Sequence, residues 1–133
     1  MDKAFVAIVN TKAEPVSAFF DIRVIELKAG YAKLGMRIKP EYLNLYGVAF
    51  GGIIMSLADQ AFGYAVNTLS YPSVASQFNI YFLSSARSGD ELTAEANVIR
   101  SGRRISVAEV SVTNQDGKLI ARASGSTIAV EAD

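Results

Sequence analysis

The spacing of apolar residues changes period along the chain, and the changes mark out the elements. Ile54, Leu57, Ala58, Ala61, Phe62, Ala65 and Val66 recur at helical intervals, which predicts a helix from Gly51 to about Thr68. Its apolar positions cover most of the circumference, so the helix should be buried on nearly all sides. One narrow stripe breaks the pattern: Ser56, Asp59, Gln60, Gly63 and Asn67 fall close together at 100° per residue. Beyond the helix the period becomes two. Val74 to Phe82 and Leu92 to Ile99 alternate as strands, Ile105 opens a third, and Leu119 to Val130 makes a fourth rich in small residues. In the third, the apolar phase shifts from Ile105 and Val107 to Val110 and Val112, which predicts a bulge near Ala108 and Glu109. Ser88-Gly89-Asp90, Ser101-Gly102 and Asp116-Gly117 supply the turns.

Before the helix, Asp21 to Leu27 and Tyr31 to Lys39 read as two strands parted by a turn at Gly30, with Pro40 closing the second. Glu41 to Phe50 reads as loop, with Asn44 and Gly47 as turn residues. In the first twenty residues, Phe5, Ile8 and Val9 share one face of a short helix that Pro15 ends or follows. The order is thus two strands, one long buried helix, then four strands on short connections, which implies antiparallel pairing. A lone apolar helix buries its surface only if a curved sheet wraps around it. The expectation is an α+β hotdog fold, one domain over residues 1–133 with 1–20 as an N-terminal segment.

Composition narrows the chemistry. With 133 residues, half of them hydrophobic, the chain suits one packed domain. Its net charge of zero gives no footprint for nucleic acid or an anionic membrane. The N-terminus lacks the apolar core of a signal peptide, and the most apolar run, Gly47 to Leu69, carries Asp59 and Gln60, so a soluble cytoplasmic protein is expected. Histidine and cysteine are both absent. That excludes Ser-His-Asp and Cys-His nucleophiles, disulfides and His-ligated metal centres. Acid–base work would fall to Asp, Glu, Lys or Tyr.

Two features could carry chemistry. Gly51 and Gly52 stand at the helix start, where free backbone N–H groups and the positive end of the dipole gather. An acyl carbonyl oxygen docked on the Gly51 N–H would be polarised, and its oxyanion stabilised. Paired glycines equally permit close packing or a tight turn into the helix. The second feature is Asp59. An unpaired carboxylate buried in an apolar helix would cost about several kcal/mol, so it requires a partner, a subunit boundary or a function. Asp59 lies eight residues after Gly51, a rise of about 12 Å, too far for both to reach one carbonyl within one chain. A two-fold dimer would bring them together.

The stretch NLYGVAFGGIIMSLADQAFGYAVN resembles hotdog acyl-CoA thioesterases of the phenylacetate-pathway (PaaI-like) type. Those enzymes carry an Asn, a His-Gly-Gly and a Leu-x-Asp-x-Ala on the hotdog helix. The likeness continues through VASQFNIYFLSSARSGDELTAEANV and KLIARASGSTIAV, covering Asp21 to Val130. The resemblance implies hydrolysis of acyl-CoA to free acid and CoA. Gly51 would polarise the thioester, Asp59 of the facing subunit would act as general base or nucleophile, and Asn44 would orient water or thioester. It also implies a homodimer as the minimal active unit, with sheets joined edge to edge and dimers pairing into a homotetramer, and no cofactor beyond the CoA of the substrate. Phe50 replaces the usual histidine and would line an apolar acyl pocket beside Gly52. Ser76 stands next to Ala75, where some relatives carry a serine. Arg103 and Arg104, with Arg87 and Arg100, are candidates for the CoA phosphates, or else solvated turn charges. The tyrosines are assigned to interface or core, and Met55 to core packing. A binding or regulatory hotdog protein that holds acyl-CoA without cleaving it is the alternative. A third reading makes Asp59 an interface ion pair.

Overall fold

In the computed structural model, which describes residues 1–11 and 14–131, a single long helix lies across a six-stranded antiparallel sheet. Two short helices, α1 (Lys3–Thr11) and α2 (Pro15–Phe20), precede β1 (Arg23–Lys28) and β2 (Tyr31–Arg37). A 3-10 turn (Pro40–Tyr42) and a loop lead into α3 (Gly51–Asn67). Then come β3 (Ser73–Phe82), β4 (Glu91–Ser101), β5 (Ile105–Thr113) and β6 (Leu119–Ala129). The strand order is β1-β2-β4-β5-β6-β3, the arrangement of a hotdog fold.

The helix settles on the sheet because the inner faces of the middle strands are small. Ala32, Ala94, Ala96, Ala108, Ala121 and Ala123 are all buried beneath α3, interleaved with Leu34, Met36, Leu92, Val110 and Val112. Alanine rows let a helix approach closely, and Leu57, Ala58, Ala61, Phe62 and Ala65 fill the remaining space at interior density. Gly125 belongs to the same device. A Cβ there would lie 2.3 Å from the Gln77 carbonyl oxygen and 3.2 Å from the Phe62 ring. The first of these is backbone, so relief would require prising β3 from β6. Gly125→Ala is expected to cost about 1–3 kcal/mol, the range for overpacked cores, read as a lower midpoint in urea unfolding.

Pro15 follows the first helix, as expected, and occupies the first turn of a second one, where its missing N–H costs nothing and its fixed φ suits the helix. Lys12 and Ala13, part of the same expected segment, lie outside the described residues. Three expectations are corrected here. The phase of β5 does not slip near Ala108 and Glu109: Ser106, Ala108, Val110 and Val112 all point inward, while Ile105 and Val107 take the outer face. The irregularity opposite that stretch is on β4, between Val98 and Arg100. The turn at Ser88-Gly89-Asp90 does not make a hairpin either, because β3 pairs with β6 and not with β4. The last of the three is Met55, which is exposed and not core.

The β3–β4 connection positions the site. Leu83 donates to the Ile120 carbonyl (2.8 Å), Ala86 accepts from the Ala49 N–H (2.8 Å), and the Ile38 N–H reaches Asp90 (2.8 Å). The segment therefore crosses one end of the sheet and ties down the chain just ahead of α3. Strand β3 is left as an edge whose other side is open, with Val74, Tyr81, Phe82 and Leu83 exposed.

Candidate functional site

The loop before α3 is built around Asn44. Its side-chain oxygen accepts from the N–H groups of Tyr46 (2.9 Å) and Val48 (3.3 Å), and its own N–H donates to the Val48 carbonyl (2.7 Å). Gly47, at φ +79°, closes the turn. The amide oxygen of Asn44 is thus committed to the loop. Among the described residues its NH2 group has no protein partner, so Asn44 can serve a ligand only as a donor.

Phe50 is the residue before the helix, with extended backbone (φ −62°, ψ 134°) and no side-chain cap. Its carbonyl accepts from the N–H groups of Ile53 (2.9 Å) and Ile54 (3.4 Å). The N–H groups of Gly51 and Gly52 have no acceptor among the described residues and belong to the unsatisfied first turn. Both glycines also serve packing. A Cβ on Gly51 would meet the Phe82 ring at 3.1 Å, and one on Gly52 the Phe50 ring at 2.8 Å. Phe50, 58% exposed, folds over Gly52. Asn44 and Gly51 share a cavity of about 360 Å³ with Val48, Ile54, Phe82 and Ser84.

Asp59 faces a different space. The whole polar stripe of α3 lines a groove of about 650 Å³, closed on its other sides by α1, the start of α2 and the chain from Tyr71 to Ala75. Within one chain Asp59 is accessible at the groove. Its surroundings still matter. Partial burial, and secondarily the negative charge of Glu14, raise its pKa above the ordinary aspartate value. No salt bridge to Asp59 exists among the described residues.

The remaining stripe residues hold the groove together. Asn67 donates to the carbonyls of Gly63 (2.7 Å) and Ser73 (3.1 Å) and accepts from the Ser73 N–H (2.9 Å), pinning the helix end to β3. Ser56 donates to the Gly52 carbonyl (2.8 Å). Gln60 is 92% buried by its 8% exposure and donates to Glu14 (2.8 Å), to Ser17 and to Tyr64 (3.3 Å). Helix α1 docks through Phe5, whose ring stands edge-on to Tyr64 at 5.4 Å.

The structure keeps the two halves of the expected constellation apart. Asn44 and Gly51 line one cavity and Asp59 the other. Ser76 is exposed and is the extra residue where the β3–β6 register shifts, between Ala75 and Gln77. It lines neither space, whereas Ala75 lines the groove. Arg100, Arg103 and Arg104 are exposed around the β4–β5 turn. That turn adjoins the far end of the groove: the Arg104 carbonyl accepts from Ala129 (2.8 Å), and Val130 donates to the Pro72 carbonyl (2.9 Å). Arg87 lies on the β3–β4 connection.

The model of the thioesterase superfamily matches residues 46–121, from the loop ahead of α3 to β6. The chain belongs to that superfamily. Within it, the chain is 37% identical over 100 residues to the acyl-coenzyme A thioesterase PaaI of Escherichia coli K12, covering 75% of this chain and 71% of that one. The structure of E. coli PaaI, from the phenylacetic acid degradation operon, superposes with a TM-score of 0.90 at 31% identity, covering 95% of this chain and 91% of that one. Two further similar structures contain a CoA compound. A Streptococcus mutans protein bound to acetyl-CoA aligns at TM-score 0.84 and 27% identity, over 90% of this chain and 97% of that one. A thioesterase-like protein of Streptococcus pneumoniae with coenzyme A aligns at 0.82 and 27%, over 96% and 95%. The described helices include none long and apolar enough to cross a membrane.

Sequence reasoning missed Glu14. Nothing marks a carboxylate at the end of a weakly patterned N-terminal segment, and only the fold carries it back over α3. Gln60 was visible as part of the polar stripe, but its role as an anchor was not.

Proposed function

We propose that this protein hydrolyses acyl-CoA thioesters, and that each active site is shared by two copies of the chain. The observation that carries the proposal is the separation of the half-sites. Free N–H groups and the Asn44 donor lie at one end of α3, and a carboxylate of raised proton affinity lies about 12 Å along it. Neither half can hydrolyse a thioester alone. A two-fold axis beside the open edge of β3 and the exposed Phe82 and Leu83 would set Gly51 of one protomer opposite Asp59 of the other.

The chemistry then follows. The thioester oxygen accepts from the Gly51 N–H at the positive end of α3. The Asn44 NH2 group, its oxygen already occupied, steadies the same oxygen or the attacking water. Asp59 takes a proton from water as the water oxygen bonds to the carbonyl carbon. The tetrahedral intermediate collapses, the C–S bond breaks, and CoA leaves as thiolate and takes the proton that Asp59 had accepted, which returns Asp59 to the carboxylate. Direct attack by Asp59 is the variant of this scheme; it passes through an anhydride that water then opens. The CoA portion would run along the groove toward Arg103 and Arg104, whose side chains supply forked donors for phosphate. Phe50 and Gly52 would border the thioester, and Ser76 would reach substrate only from the outer rim of β3.

Phe50 also favours a second reading, in which the protein holds acyl-CoA without cleaving it, because an imidazole donor is missing there. A thiol-release assay over aromatic, branched and straight-chain acyl-CoAs separates the two. Continuous release of free CoA that depends on Asp59 supports hydrolysis. Saturable acyl-CoA binding with no CoA released over hours supports the second reading.

A further inference from the structure

We propose that Glu14 is a positioning residue for Asp59: its carboxylate, hooked onto α3 by Gln60 and Tyr64, sets the electrostatic surroundings in which Asp59 takes up a proton. This rests on the reading of Asp59 as the group that accepts a proton from water. Among the described residues lining the groove, Glu14 and Asp59 are the only charged ones; Tyr64 and Tyr71 are the only other titratable groups facing it, and the linings from α1, α2 and β3 contribute none. A lone pair of like charges in a space walled by Phe5, Ile8, Val9 and Val16 interacts more strongly than it would in water.

The hold on Glu14 is specific. One carboxylate oxygen accepts both from the Gln60 side-chain amide (2.8 Å) and from the Tyr64 hydroxyl (2.9 Å). Gln60 is next to Asp59 in sequence and is buried, so it cannot follow a wandering carboxylate; it fixes one. Pro15 fixes the backbone just beyond Glu14 and starts α2 at this point. The contact therefore joins two functions in one residue: it clamps the N-terminal helices onto α3, and it places negative charge beside the catalytic one. The direction agrees with the geometry, since the Glu14 charge is one of the two causes that raise the Asp59 pKa.

Glu14→Gln separates charge from clamp, because the amide oxygen still accepts from Gln60 and Tyr64. The test is a carbon-13 NMR titration of the Asp59 carboxyl in the full chain, assigned by its loss in Asp59→Asn, with the pH profile of kcat/KM measured in parallel. In Glu14→Gln the Asp59 midpoint should fall, and the acid limb of kcat/KM should move to lower pH with it. Unchanged thermal unfolding would show that the clamp is intact. An Asp59 midpoint unmoved in Glu14→Gln overturns the inference. A midpoint that moves while hydrolysis proceeds without Asp59 leaves the electrostatic assignment standing and overturns only the reading of Asp59 as the base.

Discussion

Asp59→Asn should abolish most acyl-CoA hydrolysis, by roughly 10²–10⁴-fold in kcat, the range that a positioned general base contributes. The amide preserves shape and cannot accept the proton from water. KM should change far less than kcat, because Asp59 acts on the attacking water and not on the bulk of the substrate. The same variant should be more stable than the wild type at neutral pH. A raised pKa means the folded protein binds the proton more readily than the unfolded chain does. That contribution to stability is complete below the ordinary aspartate pKa and is lost as pH rises through the raised value. The advantage of Asp59→Asn in thermal unfolding should therefore appear above that value and fade in acid. A variant with wild-type turnover would remove Asp59 from the mechanism.

Gly51→Pro should be nearly as damaging, for a different reason. Only proline deletes a backbone N–H, and the first turn of a helix is where proline is best tolerated. Phe50, which precedes it, already has the extended backbone that a following proline demands. The new ring would press on Phe82, 3.1 Å from a Cβ at this position, but Phe82 is half exposed and can swing outward. The helix should form, and kcat should fall by roughly 10²–10³-fold, the effect of losing one oxyanion donor. Gly51→Ala is the control: it keeps the N–H, meets the same ring, and should retain most of the turnover. If Gly51→Ala and Gly51→Pro lost activity equally, the glycine would be required for space and not for its N–H.

Much of this organisation was legible in the chain. The limits of α3 follow from apolar spacing and from the paired glycines, and the observed Gly51–Asn67 differs from the expectation by one residue at its end. The four polar stripe residues around Asp59 do line a single space with it. What failed depended on contacts distant in sequence. Ile105 and Val107 look like inward positions because they are large, yet the inner face there takes Ser106 and Ala108 to leave room beneath the helix. The alternation in β3 does not disclose that the strand lies at an edge beside β6. Nor can periodicity distinguish a polar stripe buried by core from one that faces a groove. Gly51 and Asp59 do stand eight residues apart on one continuous helix, and they line different spaces.

The claim that each site is built from two chains is tested most directly by mixing two inactive proteins. Chains carrying Asp59→Asn and chains carrying Gly51→Pro are unfolded together at equal amounts, refolded and assayed for CoA release. In a mixed dimer, one site receives Gly51 from the first chain and Asp59 from the second, and is intact; the other site receives both lesions. Random pairing makes half the dimers mixed, so activity should recover to roughly a quarter of the wild-type level. If the mixture stays as inactive as its two components, while refolded wild type regains its activity, Gly51 and Asp59 do not meet across a subunit boundary and the shared site is refuted.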